Sequence, residues 1–316
     1  MRPYFWNEIQ IEHPEDRDQY RQLDYARVME MLTSFLNVTS GAPFSFTLYN
    51  EGLYYVGDAP SVQLILSKLR DYSMQWVNAS MKLREPDLLL LRSVKNRVPL
   101  LQSLGLVLQR AIPNLDSTLL LQIGNLFENA PLLTRIKLEC LSDMDWRFNW
   151  ASLTSIHLLS IRDSPQLIVA ILRQAINLEE FSLGNTAFWG TDWENIGGAK
   201  LPRLKYLSVE ELFFLTILET PALEELRIET MEDYPYNVRI VIEFLLRSNC
   251  ELSRLSSSGF ELPVERFYHT RRISRNCCCG IANFQLIWLN GSLGQNQALT
   301  KPSHKSCHCD AYIHYH

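Results

Sequence analysis

The densest collection of metal-binding and nucleophilic groups lies near the C-terminus. Cys277, Cys278 and Cys279 are consecutive, and His304, Cys307, His308, Cys309, His314 and His316 follow. Thiolates and imidazoles together suit zinc, but structural zinc ligands are usually paired as Cys-x2–4-Cys, which lets both sulfurs reach one tetrahedral centre. Three adjacent cysteines and a Cys-His-Cys run do not offer that spacing, so no metal ligand is assigned and no cofactor is expected. A metal-binding protein that uses this tail, or a gene fragment without function, stands as the alternative reading. The other two cysteines, Cys140 and Cys250, are isolated, and the total of seven is odd. That is not the even, spread-out pattern of a secreted disulfide framework.

Other chemistry is sparse. The chain has no Gly-x-x-x-x-Gly-Lys-Ser/Thr, no Gly-x-Gly-x-x-Gly, no Gly-x-Ser-x-Gly and no His-Glu-x-x-His. The acid pairs Glu179-Glu180, Glu210-Glu211 and Glu224-Glu225 are sequence neighbours. On a strand such neighbours point to opposite faces and cannot act together on one substrate atom. An enzyme is therefore not expected. The aromatic run Phe188-Trp189-Gly190-Thr191-Asp192-Trp193 offers two indoles that would anchor an interface if exposed, or fill an irregular gap if buried.

What could position binding residues is a repeat. An apolar residue, two others, an apolar residue, one other and an apolar residue recur as Leu101-Leu104-Leu106, Leu133-Ile136-Leu138, Leu153-Ile156-Leu158, Leu178-Phe181-Leu183, Leu204-Leu207-Val209 and Leu223-Leu226-Ile228. Leu252-Leu255 is a weaker copy that ends on Ser257, and Trp6-Ile9-Ile11 and Trp76-Ala79-Met81 are earlier ones. From Leu101 to Leu252 the copies begin 19 to 32 residues apart, bracketing the leucine-rich-repeat period of about 20–29 residues. The last two apolar residues of each copy are two apart, so they share one face of a short strand. Several copies follow proline (Pro99, Pro131, Pro202, Pro221), which cannot donate to a sheet ladder.

Helical spacing fills the intervals. Ser164 to Asn177 starts with a Ser N-cap and Pro165 at the first helical position, and Leu167, Ile168, Ile171, Leu172 and Ala175 line one side. Ser61 to Tyr72, Ser117 to Ala130 and Asn237 to Arg247 read the same way. Strand and helix in alternation predict an α/β fold, a leucine-rich-repeat solenoid of short parallel strands alternating with helices. Residues 1–60 would start the solenoid, 61–260 carry the repeats, and 261–316 form an atypical, poorly ordered Cys/His tail.

The start of the chain is more specific. PYFWNEIQIEH precedes a helix-like stretch from Tyr20 to Leu36, and TSGAPFSFTLY then ends at Tyr49. This order resembles the segment just after the F-box in leucine-rich-repeat F-box proteins of mushroom-forming fungi. Trp6, Ile9, Ile11, Ser40, Gly41, Pro43, Phe44 and Phe46 occupy the matching places, and Trp76 resembles the Trp of the family's next repeat strand. The resemblance covers roughly residues 3 to 260. It implies target recognition for a cullin-RING ubiquitin ligase, with the repeats holding the target. The F-box would lie before Pro3, outside this sequence, so docking on the ligase adaptor is not expected of these residues.

The partner expected is therefore a protein. Net charge is -5, without the basic excess of a nucleic-acid binder. No window of about 18 uncharged apolar residues marks a membrane span, and no secretory signal opens the chain, which places the protein in the cytoplasm or nucleus. Residues flanking each strand's middle apolar position should point away from the core and line a concave binding surface. That column selects Arg135, Lys137, His157, Glu180, Tyr206, Glu225 and Arg227, with Glu139, Glu210 and Glu229 beside it. Basic residues come early and acids late, so the expected ligand is a basic segment lying over Tyr206 and the later strands.

Overall fold

The apolar triplets become strands because each ends in two residues that must face inward together. In the computed structural model, which describes residues 8–12, 25–39, 41–49, 59–109, 124–139, 146–160, 165–186, 196–229, 237–257, 279–281 and 284–286, ten strands pair side by side. These are β1 (Glu8–Glu12), β2 (Phe44–Tyr49), β3 (Trp76–Arg84), β4 (Ser103–Gln109), β5 (Arg135–Glu139), β6 (Ser155–Leu159), β7 (Glu180–Gly184), β9 (Tyr206–Val209), β11 (Glu225–Ile228) and β12 (Arg254–Ser257). Their order in the sheet is their order in the chain, and neighbouring strands are parallel. A second parallel pair joins β8 (Ala199–Lys200) to β10 (Leu218–Glu219).

Register follows the repeat. Leu104, Ile136, Ile156, Phe181, Leu207, Leu226 and Leu255 stand in one row across β4 to β12, and all are buried. Slipping any strand by one residue would turn its apolar pair toward water, which is why this pattern specifies register.

A turn sets up each strand. The N–H of the first apolar residue donates to the carbonyl three residues earlier: Leu101 to Val98, Leu133 to Ala130, Leu153 to Trp150, Leu178 to Ala175, Leu204 to Leu201 and Leu223 to Thr220, at 3.1 to 3.3 Å. Pro99, Pro131, Pro202 and Pro221 are the second residues of four of these turns, the position where a fixed φ favours the bend. The next residues lock one repeat to the last. The Thr134 and Arg135 N–H groups share the Gln102 carbonyl, and Thr154 and Ser155 share that of Thr134. The same sharing continues at Glu179 and Glu180, Lys205 and Tyr206, Glu224 and Glu225, and Ser253 and Arg254.

Helices cover the buried face. α1 (Tyr25–Thr39), α2 (Ala59–Asp71), α3 (Pro165–Gln174) and α4 (Asn237–Ser248) connect β1–β2, β2–β3, β6–β7 and β11–β12. Shorter links use helical turns, at Glu85–Val94 between β3 and β4 and at Leu212–Ile217 after β9. Pro165 does open α3, but its buried stripe is Ile168, Val169 and Leu172, while Leu167 remains 38% exposed. Of the helix expected from Ser117, only 124–130 is described, and it is mostly turn. Trp76 is fully buried, donating its indole N–H to the Leu69 carbonyl at 3.1 Å. At α4, Arg247 donates to the Leu218 carbonyl at 3.1 Å and to that of Leu215. The Ser248 hydroxyl accepts from the Thr220 N–H at 3.1 Å.

The architecture is thus α/β and solenoid-like, one ten-stranded parallel sheet backed by helices. Among the described residues no helix is long and apolar enough to cross a membrane. Trp6, Trp189 and Trp193 lie outside the described residues. So do all the tail's cysteines and histidines except Cys279, whose strand β13 (Cys279–Ile281) pairs antiparallel with β14 (Phe284–Leu286).

Candidate binding face

With helices on one side, the other side of the sheet presents alternate residues to solvent. The seven residues selected by alternation all lie on it, in two rows. One row runs Ser103, Arg135, Ser155, Glu180, Tyr206, Glu225, Arg254. The other runs Gly105, Lys137, His157, Ser182, Ser208, Arg227, Ser256. Strands are about 4.8 Å apart, so Arg135 and Tyr206, three strands apart, are separated by roughly 14 Å.

The charges on this face are not equally available. Glu180 accepts from the Ser155 hydroxyl at 3.0 Å through one oxygen and lies 3.3 Å from His157 Nε2 through the other. Glu225 pairs with Arg254 at 3.1 Å, and Glu229 with Arg227. Glu210 accepts the backbone N–H of Asn185, which holds a left-handed φ of 49°. Each late acid is thus already engaged within the chain. Arg135 and Lys137, both exposed, have no ion-pair partner among the described residues. Their flanks on β4 are Ser103 and Gly105, small residues that leave both cations reachable.

The late acids are thus less open to a basic ligand than their positions alone imply. Of the late acids, Glu225 and Glu229 are ion-paired and Glu180 and Glu210 are held by hydrogen bonds, while on β5 Arg135 and Lys137 are exposed cations with Glu139 two residues beyond Lys137. Arg254 was the missing piece. It stands in the weakest copy, yet the rule that selected Glu225 and Arg227 selects Arg254 and Ser256 once Leu255 is taken as the middle apolar residue.

Ser155, Glu180 and His157 form a compact trio, but in the wrong order for nucleophilic catalysis. In a relay the imidazole stands between hydroxyl and carboxylate and takes the hydroxyl proton. Here the carboxylate stands in the middle, and the hydroxyl is buried beneath it. The trio orients Glu180.

The paired acids diverge as strand geometry requires. Glu179 leaves the face and binds Lys205 Nζ at 2.8 Å. The Lys205 ammonium holds the Glu179 carboxyl below the ordinary range, and the same contact raises Lys205. Glu211 accepts from the Phe213 N–H at 3.3 Å, capping the helical turn. Among the described residues no group of three His, Cys, Asp or Glu side chains is placed to hold a metal ion. In comparisons with known proteins, no family model matches this chain and no curated protein matches it.

Proposed function

We propose that this chain is a protein-binding leucine-rich-repeat module, and that it acts as the target-recognition part of an F-box-type ubiquitin-ligase receptor. The observation that carries the binding half is the exposed sheet face. It is a continuous surface ten strands wide, with small and charged side chains in register and Tyr206 near the centre of its charged part. Parallel-strand solenoids use such faces for recognition. Tyrosine, amphipathic with few rotatable bonds, is a residue type enriched at binding hot spots. The ligase half rests on the resemblance of the N-terminal segment and repeats to mushroom F-box proteins.

A photo-crosslinking amino acid tests the reading. Placed at Ser182 or Ser256 on the sheet face, it should trap a discrete protein in cells. Placed at Met31 or Leu64, exposed on the helical side, it should not. Inhibiting cullin-RING ligases should raise the trapped protein's abundance. Equal trapping from both sides would refute the sheet face as the binding surface, and unchanged abundance would refute the ligase role.

A further inference from the structure

Building on the proposed sheet-face binding, we infer that Arg135 and Lys137 anchor an extended acidic segment of a partner protein, with carboxylates at alternate positions. Every late acid on the face has an internal partner, whereas these two cations have none among the described residues. The two lie on one strand, two residues apart and on the same face, so their bases stand about 6.6 Å apart along it. An extended peptide repeats its side chains with the same spacing, so acids at positions i and i+2 match both cations in one register.

The surroundings favour access from above. On β4 the flanking positions are Ser103 and Gly105, and on β6 Ser155 is drawn down under Glu180. Gly105 can carry no side chain without displacement, because a Cβ there would stand 2.7 Å from Ser80 Oγ.

Glu139 sets a limit on the ligand. It follows Lys137 by two residues on the same face, between Val107 and Leu159. A third acid at i+4 would meet its carboxylate, so the best ligand carries two alternate acids followed by a neutral or basic residue. On the other side, His157 is held against Glu180, which bounds the basic patch.

The test uses the full chain and short fluorescent peptides read by anisotropy. One carries Glu at alternate positions followed by a neutral residue; a second has the same composition with the acids adjacent; a third carries Lys in place of Glu. The first should bind best, and its affinity should fall as ionic strength passes about 0.15 M, where the Debye length is ~8 Å. Arg135→Glu with Lys137→Glu should weaken it roughly tenfold or more and should now favour the Lys peptide, with the thermal melt unchanged. The swap in preference is an outcome that a merely structural role for these residues would not produce. The inference is overturned if the acid-adjacent peptide binds equally well, or if the double change leaves binding intact. It is also overturned if a DNA oligonucleotide or phosphatidylserine vesicles compete as well as the peptide, which would make the patch a general polyanion site. Crosslinking from Ser182 and Ser256 that survives the double change would overturn this inference while leaving the sheet-face reading standing.

Discussion

Leu207→Ala isolates the packing that holds the repeats together. Leu207 is fully buried on β9, in register with Phe181 on one side and Leu226 on the other. The change removes about three carbon groups, and at ~0.8 kcal/mol each the lost transfer energy is about 2.4 kcal/mol. Every ~40 Å³ of void that persists adds about 1 kcal/mol. Collapse into that void is opposed on both sides, because the neighbouring backbones are fixed by the sheet ladder and by the Glu179 and Lys205 carbonyls that bind the next repeat. The expected cost is therefore about 3–4 kcal/mol, inside the range of about 2–5 for large core truncations. Leu132→Ala, at a residue 47% exposed in a turn, is the control and should cost less than about 1 kcal/mol. Urea melts followed by circular dichroism give both values. A loss at Leu207 below about 0.5 kcal/mol, or one equal to that at Leu132, would refute the register.

Other expectations follow from individual contacts. Gly105→Ala should cost about 1 kcal/mol, since its Cβ would displace the Ser80 hydroxyl from Tyr49, 2.9 Å away; Ser80→Ala should cost about as much, and the two changes together little more than either alone in the same melts. Arg247→Met should cost about 1–3 kcal/mol by leaving the Leu215 and Leu218 carbonyls without their donor, and Arg247→Lys should recover part of it. Burial lowers the Arg247 pKa, but the group stays charged across the accessible range, so neither variant should alter the pH profile. Lys205→Met should move the Glu179 carboxyl back up toward the ordinary range in an NMR titration. Because the Glu179 pKa is depressed in the folded chain, its contribution is present above the ordinary carboxylate range and is lost as pH falls through the lowered value. Both groups are exposed, so added salt should shrink the effect.

The fold was legible because the apolar triplets carry both periodicity and position. Leu-x-x-Leu-x-Leu places two residues on one strand face and a third at the turn before it. The buried row from Leu104 to Leu255 is that pattern seen in cross-section. Between strands the sequence was less informative. The run Leu88 to Leu91 gives no helical stripe because it forms a tight helical turn in which Leu88 and Leu91 are buried. Helical spacing places Leu167 on the covered stripe of α3, but Val169 takes that place, because hydrophobicity alone does not say which apolar residue faces the sheet.

The site divides in the same way. Alternation is a rule about direction, and it selected seven residues that do share one face. Availability of charge is mostly a rule about neighbours on other strands, about two dozen residues or more away, although Arg227 and Glu229 pair only two residues apart. Glu225 counts as an acid in the sequence, but on the sheet it is half of a pair with Arg254, 29 residues away. Glu180 is likewise held by Ser155, 25 residues away, and by His157. Arg135 and Lys137 have no ion-pair partner among the described residues: beside them on β4 and β6 stand Ser103, Gly105, Ser155 and His157, none of them a carboxylate, and Glu139 lies two residues along the strand from Lys137. Register therefore ties Glu180, Glu210, Glu225 and Glu229 to partners within the chain and leaves Arg135 and Lys137, with Glu139 beside them, as the charges that β5 presents.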